Sequence, residues 1–389
     1  MTARRILFLD HTAALGGAEL CLLDVAEHFR ATSQVALMED GPLRAALERR
    51  GVGVTVLERA GSLQRVKRES SVPGVAAVGA VLGAAQEVAR LARGYDLVYA
   101  NSQKAFVVAC ASAAFARRKV LWHLHDILDP HVFSRVNIGV DVFLANHVAS
   151  RVIANSQATA NALVARGGTR ARIDVVYNGL DPAVADAVRA HDVAAARASI
   201  GVGGAPLLGL FGRLAPWKGQ DVAIRALAIC ADAGVQLAIV GDALFGEEAY
   251  GAELRALVAE LGLERRVHFL GFRSDVPVLM RAVDVLIHTS VTAEPFGRVI
   301  VEGMLAERPV IATAGGGASE IVEAGVTAWQ VAPNDPAALA AAIAEVLGNP
   351  ARAREVAAAG RRSALERFTL AATLPLTERA VERVMGAAS

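Results

Sequence analysis

The sequence predicts an α/β protein with two doubly wound parallel sheets, each in its own Rossmann-like domain. Three observations predict this class. Short β-branched apolar runs alternate with longer helical patterns along the chain. At 389 residues the chain is longer than a domain with a single hydrophobic core usually is. Glycine-rich or polar loops follow apolar runs in both halves, as at the strand ends where open parallel sheets bind ligands.

Composition excludes several classes of protein. The 40 Lys and Arg against 39 Asp and Glu leave a formal net charge of +1, so we expect no nucleic-acid partner. The three cysteines, Cys21, Cys110 and Cys230, are widely spaced, and we interpret them as small core residues in a reducing cytosol. The run 6–9 is too short for a signal peptide and no apolar stretch has membrane-spanning length, so we expect a cytoplasmic protein, at most peripheral at a membrane. No pattern indicates an oligomeric state.

The first strand, residues 6–9, leads through Gly16 and Gly17 into a helix. A strand, a glycine turn and a helix start let backbone approach a phosphate, although a Gly-Gly pair is more often only a tight turn. Further strands and helices are predicted at 35–38, 42–50, 52–57 and about 73–93. The polar loop 60–71 carries Arg65, Lys67 and Arg68, which we expect to be solvated rather than to contact an acidic acceptor or lipid heads.

A histidine cluster follows the strand 119–124, with His123, His125 and Asp126 at its carboxyl end. Alternation points both histidines to one face, in a position suited to chemistry. Hydrogen bonding to loop backbone is one alternative. A metal held with Asp126 is another, but no partner cluster is identifiable elsewhere in the sequence, so we expect no metal site. The amphipathic run 131–148 predicts a helix that packs on its own sheet, with a membrane-facing or acceptor-facing surface as the minority alternative.

The C-terminal half begins with a strand at 206–211 and a loop carrying Arg213 and Lys218, two cations that can converge on one anion. Gly241 and Phe272 lie after two later strands, at positions suited to a nucleobase. Phe272 packs on that base or is an ordinary core residue. Asn178-Gly179 is a turn signal, and we place the first domain at 1–183, a short helix and linker at 184–205 and the second domain at 206–368.

The most informative stretch runs from a strand at 283–287 through Glu294 to a helix at 298–307 that contains Glu302. A helix start suits an anion, and carboxylates beside it can accept hydrogen bonds from sugar hydroxyls. The alternative is that both glutamates only favour the helix N-terminus or are solvated.

These strings resemble the retaining, nucleotide-sugar-dependent glycosyltransferases of family 4. The resemblance rests on Glu-x(7)-Glu with Pro-Phe-Gly after its first Glu, and on Gly-Arg-x(4)-Lys-Gly after the first strand of the second half. It implies the GT-B fold, with two domains facing each other across a cleft. The similarity around Phe368-Thr369 further implies that residues 369–389 return to pack on the N-terminal domain.

The resemblance also implies roles for individual residues. Arg213 and Lys218 would bind the donor diphosphate, Glu294 the donor-sugar hydroxyls and Glu302 the ribose hydroxyls, while His125 would face the anomeric carbon. The remaining donor-binding candidates lie at loops and helix starts: Gly16, Gly17, Gly241, Phe272, Phe296, Gly297, Arg298 and Val299. We take His125, Glu294, Arg213 and Lys218 as the catalytic set.

The resulting hypothesis is metal-independent transfer of a sugar from a UDP- or GDP-type donor to a hydroxyl of a glycan, glycolipid or natural product, with no other cofactor. No Asp-x-Asp is present to cradle a metal. A sugar epimerase or phosphorylase of the same fold and a non-catalytic nucleotide-sugar-binding protein remain rivals. An NAD-dependent oxidoreductase does not fit, because Gly-x-Gly-x-x-Gly is missing after the first strand.

Overall fold

The chain folds into two compact units in the computed structural model, which describes residues 4–60, 75–232, 234–243 and 247–386. Unit 1 comprises Met1–Gly179 with Leu370–Ser389, and unit 2 comprises Leu180–Thr369. Each contains one parallel sheet with helices, so the predicted α/β class with two Rossmann-like domains is confirmed. The predicted first boundary, residue 183, lies a few residues beyond the observed one.

Unit 1 is built on a parallel sheet whose described strands run in the order β3-β2-β1-β4-β5-β6-β7. The strands are β1 Ile6–Asp10, β2 Ser33–Leu37, β3 Gly53–Val56, β4 Leu97–Ala100, β5 Lys119–Leu124, β6 Arg151–Ala154 and β7 Ile173–Val175. The helices between them are α1 Gly17–His28, α2 Pro42–Arg49, α3 Val75–Ala92, α4 Gln103–Ala116, α5 Arg135–His147 and α6 Gln157–Ala165.

The central strand β1 is buried along its whole length, which explains its unbroken apolar run. Its alternating side chains enter two cores: Leu7 and Leu9 join one buried cluster, whereas Ile6 and Phe8 join another. The carboxyl ends of β1, β4 and β5 lie at one edge of the sheet, because the three strands are adjacent and parallel. That edge carries the glycine turn and the histidines.

The last helix, α16 Leu370–Met385, completes unit 1 from the far end of the sequence. It packs on α1, β5 and β6, and its apolar residues Ala380, Val381 and Val384 enter the same buried cluster as Phe8. Lys119 Nζ also donates a hydrogen bond to the Val384 carbonyl at 2.7 Å.

Unit 2 has a parallel sheet whose described strands run in the order β10-β9-β8-β11-β12-β13. These are β8 Leu207–Phe211, β9 Gln236–Val240, β10 Val267–Gly271, β11 Val285–His288, β12 Val310–Thr313 and β13 Trp329–Val331. The helices are α7 Pro182–Ala187, α8 Val193–Ile200, α9 Gln220–Ile229, α10 Glu248–Glu260, α11 Val276–Ala282, α12 Arg298–Leu305, α13 Ala318–Ile321, α14 Pro336–Gly348 and α15 Pro350–Arg367.

Residues 184–205, where we expected a short helix and a linker, contain α8 and most of α7. Helix α8 packs on α11, and Arg197 Nη1 donates to the Ala282 carbonyl at 2.8 Å. This stretch therefore belongs to unit 2 as packed structure.

Three further expectations concern the surface and the cysteines. The basic loop 60–71 lies, apart from Ala60, outside the described residues. Among the described helices, none is both long and apolar enough to cross a membrane. Cys21 and Cys110 are buried as expected, whereas Cys230 is only half-buried.

Candidate active site

The centre of the site in unit 2 is the carboxylate of Glu294, which is only 8% exposed. Its Oε2 accepts hydrogen bonds from Lys218 Nζ and from Ser290 Oγ, both at 2.8 Å, and lies 3.2 Å from His288 Nε2. Burial acts to raise the pKa of Glu294, but the charges of Lys218 and His288 and their hydrogen bonds outweigh it, so this pKa lies well below its usual value. Glu294 is therefore an anion in the physiological pH range.

The loops after β8 and β11 are bonded to each other, and this brings Lys218 to Glu294. Thr289 Oγ1 donates to the Lys218 carbonyl at 2.9 Å, and Val291 N donates to the Trp217 carbonyl at 2.9 Å. Gly219 between the β8 loop and α9 has φ +65°, and a Cβ there would lie 2.2 Å from the Thr289 carbonyl oxygen. Only glycine permits this close approach.

The glycine-rich turn 315–317 supports the backbone of Glu294. Gly317 N donates to the Glu294 carbonyl at 2.7 Å. Gly316 has φ +60°, and a Cβ there would lie 2.1 Å from the same carbonyl oxygen. The turn therefore holds the backbone of Glu294 in place.

Helix α12 begins directly after this loop, and its N-cap is Gly297 at φ +106°, which has no side chain to cap the first amides. Arg298 Nε lies 3.6 Å from Glu302 Oε1. The Nε and Nη1 atoms of Arg298 are buried and have no hydrogen-bond acceptor within the described part of the chain. Phe296 is buried and its ring packs on Phe368, so the ring is not exposed to a ligand, and Val299 is half-buried.

Arg213 lies near the same loop, where its guanidinium is 5.7 Å from the centre of the Trp217 ring. Its Nη1 is 3.5 Å from Glu247 Oε2. Lys218 Nζ lies 4.0 Å from the centre of that ring, so one indole contacts both cations.

Two further candidates lie at strand ends of unit 2. Gly241 has φ +139° after β9, and a Cβ there would lie 2.0 Å from the Gly212 carbonyl oxygen. Phe272 after β10 is 75% exposed, so the alternative that it is a core residue is wrong. An exposed ring at a strand end is available for stacking.

In unit 1, Gly16 is the N-cap of α1 and Gly17 its first residue. The Glu19 carboxylate folds back over this turn, because a Cβ on Gly16 would lie 2.5 Å from Glu19 Oε2. Burial, with a smaller effect from the Asp10 charge, raises the pKa of Glu19 to about 8. Glu19 is therefore largely protonated at neutral pH.

His125 lies at the end of β5 in a chain of hydrogen bonds. Asn101 Nδ2 donates to Asp10 Oδ2 at 2.7 Å, and Asn101 Oδ1 lies 3.0 Å from His125 Nε2. Since a carboxylate can only accept, the amide orientation is determined, and His125 Nε2 is the protonated nitrogen. The imidazole lone pair is then on Nδ1.

Comparisons with known proteins identify the family. Residues 15–184 match Glycosyltransferase Family 4, and residues 194–363 match Glycosyl transferases group 1. The structure of Anabaena Alr3699/HepE in complex with UDP and glucose has 40% sequence identity and a TM-score of 0.87, covering 97% of this chain and 99% of that one. This chain belongs to glycosyltransferase family 4.

Two curated relatives match this glycosyltransferase family 4 chain over shorter lengths. The 2-deoxystreptamine glucosyltransferase of Streptomyces kanamyceticus is 35% identical over 61% of this chain and 62% of its own length. The D-inositol 3-phosphate glycosyltransferase of Mycolicibacterium vanbaalenii is 36% identical over 51% and 46%. The chain thus spans about half to three-fifths of the length of these curated relatives.

The structure of this glycosyltransferase family 4 chain brings Lys218 and Glu294 into contact and Arg298 close to Glu302, all within unit 2. His288 and Ser290, which contact Glu294, were not among the predicted site residues, although both lie in the stretch 283–307. A signal was present, because a His and a Ser directly after a buried strand are polar residues at a ligand-binding sheet edge.

Proposed function

We propose that this protein transfers a glycosyl group from a nucleotide diphosphate sugar to a hydroxyl of an acceptor, with retention at the anomeric carbon and without a metal ion. The observation that carries the proposal is the Glu294 carboxylate, held as an anion by Lys218, His288 and Ser290 beside the start of α12. A buried, oriented carboxylate of this kind accepts hydrogen bonds from sugar hydroxyls. Because these contacts use Oε2, we assign Oε1 to the donor sugar.

The cations of unit 2 take the place of a metal at the diphosphate. Lys218 and Arg213 supply two positive charges after β8, and the buried donors of Arg298 have no acceptor among the described residues. The first amides of α12 add backbone donors and the positive end of a helix dipole. Together they stabilise the negative charge that grows on the leaving diphosphate. Treatment with a chelator is therefore expected not to lower the rate.

Glu302 accepts hydrogen bonds from the ribose hydroxyls. Its Oε1 lies 3.6 Å from Nε of Arg298, so the residue that we assign to the ribose is next to one that we assign to the diphosphate. The backbone around Gly241 and the exposed ring of Phe272 receive the base. We propose a UDP-type donor rather than a GDP-type one, because the relative that is 40% identical over 97% of this chain was solved with UDP and glucose. UDP-glucose is the first donor to test.

For unit 1 we keep the roles that the family resemblance implies. His125 is assigned to the anomeric carbon of the donor sugar, and the glycine turn of Gly16 and Gly17 at the start of α1 is assigned to the diphosphate. Retention follows the resemblance to retaining enzymes, and NMR of the product anomer tests it. We propose a polyol or glycan acceptor, since the curated relatives are named for deoxystreptamine and inositol phosphate.

Two variants test the site. Glu302→Gln removes the ribose acceptor and is expected to weaken UDP binding by roughly tenfold or more, as for a lost charged hydrogen bond. Glu294→Gln is expected to reduce turnover far more than UDP affinity, because UDP lacks the donor sugar to which we assign Glu294. Calorimetry with UDP and a turnover assay with UDP-glucose measure the two effects.

Glu264→Gln is the matched control, because Glu264 is an exposed glutamate of the same unit. If Glu294→Gln and Glu302→Gln behaved like this control, the site assignment would be wrong. Incubation with donor alone separates the rivals: an epimerase would yield rearranged donor without an acceptor, and a non-catalytic protein would yield nothing with any acceptor.

A further inference from the structure

A second cluster of polar groups lies in unit 1, formed by Cys21 on α1, His123 on β5 and His125 just after β5. Each residue offers one ligand atom, and these atoms all lie within 4.8 Å of one another. Cys21 is 4% exposed and His123 is 2% exposed. The sequence pattern shows no partner for the two histidines, because Cys21 lies 102 positions before His123 (123 minus 21). The fold brings Cys21 beside them as a third group.

The hydrogen bonds around the two histidines prepare both rings to bind a cation. The Asp10–Asn101 pair fixes the proton of His125 on Nε2 and leaves its lone pair on Nδ1. Histidine ligands of metals usually donate their other N–H to such an acceptor. His123 Nδ1 lies 2.8 Å from Tyr99 Oη, a group that can accept in the same way.

The other nitrogen of His123, Nε2, is the strongest indication of a ligand. It is completely buried and has no hydrogen-bond partner among the described residues. Buried polar atoms normally have a partner, and one without a partner calls for an explanation. Burial, with a smaller effect from His125, holds the pKa of His123 well below its usual value, so the ring is neutral and can bind a cation.

We propose that Cys21, His123 and His125 form a binding site for a zinc ion. Zinc prefers sulfur and nitrogen ligands, at about 2.3 Å and about 2.0–2.1 Å, which places tetrahedral ligand atoms roughly 3.3–3.6 Å apart. The three atoms therefore need to approach one another by no more than about 1.5 Å. Binding exchanges the thiol proton of Cys21 for a bond to zinc, and the proton passes to solvent.

The charge balance also favours an ion at this place. A thiolate and two neutral imidazoles leave one positive charge on the zinc complex. The Asp10 carboxylate, connected to His125 through Asn101, provides a nearby negative charge. Bound zinc would hold the imidazole that we assign to the donor sugar, so we expect zinc to inhibit transfer. This consequence rests on the proposed function, whereas the binding site does not.

Cobalt titration of the full-length protein tests the site without an activity assay. Co²⁺ is a visible probe for zinc sites: a tetrahedral site gives strong visible bands, and a thiolate ligand adds a sulfur-to-cobalt charge-transfer band. We expect both features at one equivalent of Co²⁺ per chain and their loss when Zn²⁺ is added. Cys21→Ser should remove the charge-transfer band and weaken Co²⁺ binding at least tenfold.

The double variant Cys110→Ser/Cys230→Ser is the matched control, and it leaves the three proposed ligands untouched. It should keep the charge-transfer band, which would identify Cys21 as the thiolate even if Cys21→Ser failed to fold. Loss of the band in this control, or a spectrum of octahedral Co²⁺ in the wild type, would overturn the proposal. If zinc bound but transfer continued at the same rate, the site would stand and the role of His125 would be wrong.

Discussion

Three side chains, Lys218, His288 and Ser290, surround the buried carboxylate of Glu294 in unit 2. Glu294, Lys218 and Arg213 were indicated by their spacing within strings typical of the family. His288 and Ser290 have no such spacing, because their importance comes from contacts with Glu294 that only the folded loop creates. The buried side-chain donors of Arg298 were likewise not predictable from the sequence. Its position at a helix start indicated only that its backbone amide could bind an anion.

His288 should act on catalysis through Glu294. His288→Leu removes one partner of the buried carboxylate, at a cost of about 1–3 kcal/mol. We therefore expect turnover to fall by roughly tenfold to a hundredfold, with a smaller change in UDP affinity. Steady-state kinetics with UDP-glucose measure this effect.

A double-mutant cycle distinguishes positioning from a general loss of stability. In the Glu294→Gln background, His288→Leu should have little further effect, because its partner carboxylate is already gone. Fully additive losses would show that His288 does not act through Glu294.

Glu19 should make the stability of unit 1 fall as pH rises. Its folded pKa of about 8 lies above the ordinary value of 4.5, so between these values the folded state holds a proton that the unfolded state has released. This loss amounts to at most about 1.4 kcal/mol per pH unit across that window. Glu19→Gln should remove it, and its stability relative to wild type should increase from pH 5 to pH 8.

Urea unfolding at a series of pH values measures this difference. The control is Glu264→Gln, which makes the same exchange at an exposed position. If the stability of Glu19→Gln relative to wild type stayed constant or fell with rising pH, this would contradict the buried, protonated state of Glu19.

At the scale of elements, the strands were predictable because fully buried parallel strands appear as short continuous apolar runs. The stretch 184–205 was harder. Its Ala, Asp and Arg content suits a helix, but its Gly-rich end also suits a linker, and only packing of α8 on α11 decides between them. Which strand ends lie side by side likewise depends on sheet order, which the sequence pattern does not contain.

The turn 315–317 gives an element-scale prediction. Gly316→Ala and Gly325→Ala both place a side chain at positive φ, +60° and +73°, where a Cβ costs about 1–2 kcal/mol. Only Gly316→Ala also pushes a Cβ against the Glu294 carbonyl, whereas nothing lies within 4 Å of the Cβ at Gly325. We expect similar backbone strain from the positive φ in both variants. Turnover should fall on the order of a hundredfold only in Gly316→Ala, as when a catalytic group is misplaced by about 1 Å.

Thermal unfolding and turnover of both variants measure the strain and the misplacement separately. Equal activity in the two variants would show that the turn does not set the position of Glu294.

At the scale of the whole molecule, chain length and alternating patterns were enough to predict two α/β domains. The packing of the last helix on the N-terminal domain was predicted only from the family resemblance. An apolar helix face by itself does not show which surface it packs on. Unit 2 is one continuous segment, whereas unit 1 is assembled from two segments separated by all of unit 2.

This division predicts different behaviour of fragments. Residues 180–369 should unfold cooperatively on their own. Residues 1–179 should be markedly less stable, because they lack Ala380, Val381 and Val384 from the core around Phe8. Joining residues 370–386 to this fragment through a flexible linker should restore a cooperative transition in urea. An equally stable fragment 1–179 without α16 would contradict this account.

The split origin of unit 1 also imposes an order on biosynthesis. Translation adds about 5–20 residues per second, so the 190 residues of unit 2 (180 through 369) delay α16 by roughly 10–40 seconds after β7 has been made. During that interval the apolar surface that α16 later covers on β5 and β6 is exposed on the ribosome, where chaperones recognise such surfaces. The core of unit 1 therefore stays incomplete until α16 has been synthesised.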